Sequence, residues 1–409
     1  MNITLSKPSA LKNSTSLQIT GSKSETNRLL ILQALYPNLS IENSSKSDDS
    51  KVLQQALKTT NGTVDVHHAG TAMRFLTAYF AASHGADVLI TGSQRMQQRP
   101  IGILVDALRQ LGAKISYVKE VGYPPLHIHG TELKNNKVTL KADVSSQFIS
   151  ALLLIAPSLP SGLELSLTGT ITSRPYIEMT LSLLEQLGIP YHFAENKIVV
   201  RPISEIQEKT ITVESDWSSA SYFYSIVALS EHLKIRLRSY RTESLQGDSA
   251  LVDLYKTVGV ETTFHAEKNS IVLQKINTTL PETYTANLAN TPDIAQTIAV
   301  TCFGLGIGCE LKGLHTLKIK ETDRLLALKI ELEKLGGNVT ITEESLLLAP
   351  SIKINKHIAI DTYNDHRMAM AFAPLAVRGP LQINHAEVVS KSFPTFWEAM
   401  EKVGLTVSR

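Results

Sequence analysis

The chain has 409 residues, 43% of them hydrophobic and 19% charged, with a mean hydropathy near zero and a formal net charge of +2. That length exceeds what one core usually holds, so two domains are the default, and the small net charge argues against a nucleic-acid surface. The first twenty residues lack the apolar core of a signal peptide, runs such as FISALLLIAP are too short to span a bilayer, and Cys302 and Cys309 cannot by themselves build a disulfide framework or a zinc site, so a cytoplasmic protein is expected.

In chain order, the first informative stretch is GSKSETNRLL, residues 21–30. It is not a nucleotide P-loop: Ser22 separates Gly21 from Lys23, and no glycine precedes it. Small polar residues opening a helix do offer free N–H groups and a positive dipole end, with Lys23 and Arg28 one to two turns apart, which suits an anion. Next, VLQQALKTTNGTVDV reads as helix, glycine and strand around Gly62. AGTAMRFL (69–76) puts small residues ahead of a helix that carries Arg74 in its first turns. QRMQQRP (94–100) brings Arg95 and Arg99 close to a proline able to start the following helix.

Five later segments share the same helix–glycine–strand grammar. They are VDALRQLGAKISYV, LSLLEQLGIPYHFA, LVDLYKTVGVETTF, IELEKLGGNVTITE and FWEAMEKVGLTVSR. Their glycines, Gly112, Gly188, Gly259, Gly336 and Gly404, recur about every 70 residues, the mark of a repeated supersecondary unit. With the looser copy at Gly62 this predicts six α/β units, three per domain, in an α/β or α+β class. Short strands are expected at DVLITG, KVTLKA, LELSLTG, KIVVRP, IVLQK and LQINHA.

Two further motifs belong to the basic set. KIKETDRLLAL (318–328) carries Lys320, Glu321, Asp323 and Arg324 before an apolar helix, and YNDHRMAMAF (363–372) places Asp365, His366 and Arg367 before another. Taken singly, each basic motif reads as a solvated face or a helix cap. Five of them beside small residues at helix starts point to a ligand with several negative groups. Glu321, and Asp293 in NTPDIAQTIAV, are the acid/base candidates among those cations. No G-x-G-x-x-G, G-x-S-x-G or H-E-x-x-H motif occurs.

On GSKSETNR, AGTAMRF, RMQQRPI, SSQFISALLL, SRPYIE, SDWSSASYF, QGD, PDIAQT, KETDRL, YNDHRMAM and KSFPTFWE, in that order, the chain resembles the 3-phosphoshikimate 1-carboxyvinyltransferase family, also called 5-enolpyruvylshikimate-3-phosphate (EPSP) synthases. The resemblance covers essentially the whole length. It implies an enolpyruvyl transferase fold of two domains, each of three βαββαβ units, joined by a two-stranded hinge. Residues 1–20 and 214–409 would form the C-terminal-half domain including the first strand, and 21–213 the inserted N-terminal-half domain. The implied reaction transfers the enolpyruvyl group of phosphoenolpyruvate to the 5-hydroxyl of shikimate-3-phosphate, without a cofactor or metal. The expected partners are those two small molecules, with no nucleic acid and no membrane, and the expected state is a monomer.

Residue by residue, the resemblance assigns Lys23, Ser24, Arg28, Ser145, Ser146, Gln147, Ser173, Tyr176, Asp293 and Lys320 to shikimate-3-phosphate. It assigns Lys23, Gly70, Arg95, Gln147, Arg324, Arg367 and Lys391 to phosphoenolpyruvate. Asp293, Glu321 and Lys23 would be catalytic, with Arg74, Asp365 and His366 in support. Four positions depart from the family pattern: His68 for an asparagine, Phe75 for a proline, and Thr316 and Lys318 for an asparagine and an arginine. The related UDP-N-acetylglucosamine enolpyruvyl transferases usually carry a cysteine in the loop corresponding to 94–100, and this chain has none there. Glyphosate, which competes for the donor pocket in the family, is expected to inhibit, and a non-catalytic phosphate-binding module is the rival from another class.

Overall fold

The computed structural model describes residues 1–7, 11–143, 145–351 and 353–409. The chain divides into two compact units, Met1–Thr20 with Glu214–Arg409, and Gly21–Val213. Among the described residues no helix is long and apolar enough to cross a membrane.

One motif builds both units. A strand runs parallel to a second strand across an intervening helix; a second helix follows, and then a pair of antiparallel strands completes the sheet. In the Gly21–Val213 unit one copy reads strand Asn61–Asp65, helix Gly70–Ala82, strand Asp87–Thr91, helix Gly102–Gln110, and strands Lys114–Tyr117 and Leu126–His129. The same pattern recurs around the parallel pairs Lys137–Lys141 with Leu163–Thr168, Thr15–Gln18 with Lys234–Arg238, Thr283–Asn287 with Gly308–Lys312, and Ala359–Ile360 with Leu381–Ile383. The last of these borrows its antiparallel strands from the two ends of the chain, Ile3–Ser6 and Thr406–Ser408. A sixth copy, Lys209–Thr212 parallel to Leu39–Glu42, keeps only that pair.

The succession within a copy is therefore βαβαββ, and the βαββαβ order expected from the resemblance is corrected. Parallel neighbours need a long crossover, here a helix, whereas antiparallel neighbours close through a short turn and can follow one another directly. The strands anticipated at DVLITG, KVTLKA, LELSLTG, KIVVRP, IVLQK and LQINHA all form.

The six repeat glycines share one backbone state. Gly62, Gly112, Gly188, Gly259, Gly336 and Gly404 all have positive φ, between 74° and 107°; five lie in the helix-to-strand turn, and Gly62 lies at the start of strand Asn61–Asp65. An ideal Cβ on Gly112 would meet nothing within 4 Å, so substitution there isolates the backbone term. Gly112→Ala is expected to cost about 1–2 kcal/mol in a urea titration, from strain alone. No loss of stability would mean that the turn does not enforce its φ.

Each sheet turns an apolar face inward. In the unit formed by Met1–Thr20 and Glu214–Arg409 a continuous core gathers Trp217, Phe223, Tyr255, Phe303, Phe372 and Phe393. Its helices are also tied by buried hydroxyls: Ser221 to Thr297 at 3.0 Å, and Thr301 to Ser225 at 2.8 Å and to Tyr255 at 2.9 Å. Satisfied pairs of this kind hold helix register without leaving a polar group stranded.

Candidate active site

The quoted motifs occupy the loops that follow the parallel strands. In chain order, GSKS, AGTAM, SSQF, PDIAQ and NDHRM each follow the first strand of a parallel pair, and QRMQQRP, TSRP, SDWSS, QGD, KETDR and KSFP each follow the second. These loops leave the carboxyl ends of the parallel strands and lead into helices, the place where α/β sheets collect ligands.

In the Gly21–Val213 unit the loops become helix caps. Ser22 caps helix Lys23–Leu35, and Ser145 caps helix Ser146–Ile155 by accepting from the Gln147 amide at 3.3 Å. Ser173 enters helix Arg174–Gln186 through a left-handed backbone at φ 52°. The Gln147 amide group donates to Thr71 Oγ1 at 3.3 Å, joining the starts of two helices. Lys23 Nζ lies 3.3 Å from the buried Asp49, and His68 approaches the same carboxylate at 4.0 Å. Sequence reading had not singled out Asp49; its signal is the position of KSDD, which follows a parallel strand and leads into a helix as the other motif loops do.

Arg28, which the resemblance assigns to shikimate-3-phosphate, is buried among protein acceptors. Its guanidinium donates to Thr180 Oγ1, Ser24 O, Ser150 Oγ and Tyr176 O at 2.8–3.1 Å, and the residue is 2% exposed. Those bonds use four of five N–H groups, so one remains for a substrate. Phe75, the departure from proline, lies under this guanidinium at 5.5 Å, with Tyr176 at 5.9 Å. Burial lowers the Arg28 pKa to about 10, against the pull of Tyr176 and Glu25, so the side chain stays cationic at neutral pH.

Arg74 is a clamp. It donates to Gly70 O and Pro100 O at 3.3 and 3.0 Å and contacts Met96 Sδ, tying AGTAM to QRMQQRP. Arg95 is exposed on the short helix Gln94–Gln97, which the sequence pattern had not indicated. Gly70, the first residue of its helix, faces Arg99: a Cβ there would stand 2.5 Å from Arg99 Nη1.

In the other unit the charges are already paired. Asp365 caps helix His366–Phe372, accepting from the Arg367 amide at 2.8 Å, after Tyr363 and Asn364 turn the chain through two left-handed conformations. Asp323 caps helix Arg324–Lys334, which puts Arg324 at the first helical position. The Arg324 guanidinium, 1% exposed, donates to Asp365 Oδ2 at 2.7 Å, Asp293 Oδ1 at 3.0 Å and Glu321 Oε2 at 2.7 Å. Arg367 donates to both the carbonyl and Oδ2 of Asp293 at 3.0 Å, and Lys320 Nζ lies 3.6 Å from Asp293 Oδ1. Burial alone would raise the Asp293 carboxyl, but Arg367, Lys320 and Arg324 hold it well below the usual carboxylate range. Burial would lower the Arg324 pKa; Asp365, Glu321 and Asp293 override it and raise the value. His366 is buried at the start of the same helix, and Lys391 donates to the Asn364 carbonyl at 2.6 Å. Of the departures in KETDR's approach, Thr316 is buried, and Lys318 turns to Glu343 at 2.7 Å.

Asp248, in the QGD loop, joins this network unannounced by the sequence reading. It is 4% exposed, accepts from Ser218 Oγ, and Ser218 in turn lies 3.4 Å from Arg367 Nη2. Among the described residues its Oδ1 is buried without a hydrogen-bond partner. Burial pushes its carboxyl from 3.8 up to about 7, helped by Asp293 and Asp216 and opposed by Ser218 and Arg367. The native chain thus keeps a proton that the unfolded chain releases near pH 4, so stability is fullest at low pH and falls as pH rises through about 7. The ionised form costs on the order of 4 kcal/mol above that window. Asp248→Asn keeps the acceptor but does not titrate. Its urea midpoint is expected to exceed the native one near pH ~8 and to lose most of that advantage near pH ~4; a difference independent of pH would refute the assignment.

Residues 50–400 match the family model for EPSP synthase (3-phosphoshikimate 1-carboxyvinyltransferase). A 3-phosphoshikimate 1-carboxyvinyltransferase from Bacteroides fragilis (strain YCH46) is 44% identical over 411 residues, covering 100% of this chain and 99% of the relative. One from Sulfurovum sp. (strain NBC37-1) is 35% identical over 417 residues, covering 95% of this chain and 96% of the relative. The solved EPSP synthase of Acinetobacter baumannii shares the fold, with a TM-score of 0.76 over 100% of both chains at 20% identity. With full-length relatives and a family match over most of its residues, the chain belongs to the EPSP synthase family.

Proposed function

We propose that the chain transfers the enolpyruvyl group of phosphoenolpyruvate to the 5-hydroxyl of shikimate-3-phosphate, releasing phosphate, in the shikimate pathway to chorismate and the aromatic amino acids. The observation that carries this reading is Asp293 held by Arg324, Arg367 and Lys320, with Glu321 on the same Arg324. Addition needs one group to take the hydroxyl proton and another to protonate C3 of the donor as the hydroxyl oxygen bonds to C2. Asp293 is assigned the first task and Glu321 the second. Loss of a C3 proton back to Glu321 then expels phosphate and restores the double bond.

The resting ion pairs oppose both tasks, and the donor relieves them. A carboxylate bound by three cations is a poor base, and a glutamate bound to Arg324 holds no proton to give. Phosphoenolpyruvate brings its own carboxylate and phosphate to Arg324, Arg367 and Lys391. Each cation drawn to the donor weakens its hold on Asp293 or Glu321, and both carboxyls move up toward useful proton affinity. In the Gly21–Val213 unit, Lys23, Ser24, Ser145, Ser146, Gln147, Ser173 and Tyr176 are assigned to the phosphoshikimate, with Arg28 offering its one remaining N–H. Gly70, Arg95 and Gln147 are assigned to the donor, and Lys23 to both substrates.

The free buried thiols of Cys302 and Cys309 suit a reducing cytoplasm. A phosphate-release assay is expected to respond to shikimate-3-phosphate and not to UDP-N-acetylglucosamine. Glu321→Gln keeps the shape but cannot cycle a proton, so kcat is expected to fall by roughly 10²-fold or more with a modest change in KM. Near-native turnover would remove Glu321 from the chemistry.

A second prediction concerns Gly70. A methyl at this position first meets Arg99. That neighbour is the far end of a flexible side chain, so Gly70→Ala acts by displacing a guanidinium at the edge of the assigned donor site. Glyphosate, longer than phosphoenolpyruvate, is expected to lose more from this than the compact donor does. Inhibition curves at several donor concentrations should show the inhibition constant rising far more than the donor KM. An unchanged inhibition constant would take Gly70 out of the donor site.

A further inference from the structure

One sheet of the Gly21–Val213 unit carries a group of metal-ligating side chains that the proposed reaction does not use. Strand Leu126–His129 has the sequence LHIH, in which Leu126 and Ile128 are fully buried and His127 and His129 take the opposite, solvent-facing side. The neighbouring antiparallel strand Asp87–Thr91 pairs Asp87 with His129. Directly paired residues project to one side of a sheet, so Asp87 joins the two imidazoles on that outer face. His127 Nε2 lies 2.8 Å and His129 Nδ1 3.0 Å from the same oxygen, Asp87 Oδ1. All the candidate ligand atoms fall within 4.8 Å of one another, and the two rings stand 4.3 Å apart.

We infer that Asp87, His127 and His129 form a surface site for a divalent transition-metal ion of the zinc type. Two imidazole nitrogens and one carboxylate oxygen are borderline ligands that suit Zn²⁺, Ni²⁺ or Cu²⁺, whereas Mg²⁺ and Ca²⁺ favour oxygen alone. Around a tetrahedral zinc, ligand atoms sit about 3.3 Å apart, given metal–ligand bonds of about 2.0–2.1 Å. The two nitrogen–oxygen separations here need to open by only a few tenths of an ångström. The ion takes the place of the hydrogens now pointed at Asp87: His127 coordinates through Nε2 and His129 through Nδ1, and each ring then carries its single proton on the other nitrogen, a neutral imidazole shifting its proton there and an imidazolium releasing to water the one that faced Asp87. Asp87 and His129 are exposed and His127 half-buried, so the ion and its remaining waters can reach the site. The strand pairing fixes all three Cα positions beforehand, and binding therefore orders only side chains.

The test is calorimetric titration of the chelator-treated full chain with Zn²⁺, for the native protein, a His127→Ala/His129→Ala double variant and Asp87→Asn. The native chain is expected to bind one more equivalent of Zn²⁺ than the double variant. Asp87→Asn is expected to weaken that equivalent by about tenfold or more. Excess Mg²⁺ is expected to leave it in place, and Co²⁺ to give a visible absorption band that the double variant lacks. Because the side chains lie on an outer face, phosphate release should be unchanged in the variants, which also shows that they fold. Identical stoichiometry in the native chain and the double variant would overturn the site, leaving a hydrogen-bonded trio only; displacement by Mg²⁺ would overturn its metal class.

Discussion

Sharing one carboxylate among three cations is the constraint on which the rest of the proposed acid/base chemistry depends. Asp293 is held by Lys320, Arg324 and Arg367, while Asp365 and Glu321 complete the surroundings of Arg324. Three positive groups thus face three carboxylates, a balanced set when all are ionised. Asp248, a fourth carboxylate nearby, is pushed up to about 7 chiefly by its burial, with repulsion from Asp293 adding to it. The arrangement is stable and chemically idle. An incoming dianion or trianion changes the sign of the surplus, and the cheapest response available to the protein is proton uptake by a carboxylate it has just released. In the proposed mechanism, binding and acid/base readiness are thereby one event.

The repeated βαβαββ unit explains why these residues can be gathered from distant stretches of chain. Every copy ends its two parallel strands at loops that become helix starts, and a helix start offers N–H donors and a position for a charged side chain at its first turn. Arg324 and Arg367 occupy the first two positions of their helices, and Lys23 the first of its own. The capping residues Ser22, Ser145, Asp323 and Asp365 hold those positions in place from within the backbone. Repetition therefore supplies binding loops in number, and divergence within each loop decides whether it carries an acid, a base or a cation.

The same logic marks how far the sequence could be read. Strands and helices were legible because their periodicity and the glycine stops recur, and the basic motifs stood out against small neighbours. Asp49 and Asp248 escaped because Asp49 shares KSDD with a second aspartate and the motif QGD carried no role for its aspartate; what marks both is their place in loops that follow parallel strands. The order of strands within a copy was misjudged because the turn joining the hairpin strands carries no fixed signature in these segments. Orientation was the other loss. Sequence shows a cation near a helix start but not whether it turns outward like Arg95 or inward like Arg28.

That difference in orientation has an energetic meaning. Arg324 is buried against three carboxylates, which raise its proton affinity and neutralise it before any ligand arrives. Arg28 is equally buried, yet its four hydrogen bonds go to two hydroxyls and two backbone carbonyls, and burial pulls its pKa down to about 10. Neutral acceptors satisfy its donors without cancelling its charge. A phosphate or carboxylate brought near Arg28 gains from a field that the protein has not already spent on its own acids. The Arg324 cluster must instead exchange one anion for another, which makes it the poorer anchor and the better switch. Affinity for the phosphoshikimate and control of proton transfer can thus reside in different units of one chain, each using arginine in the electrostatic setting that its task requires.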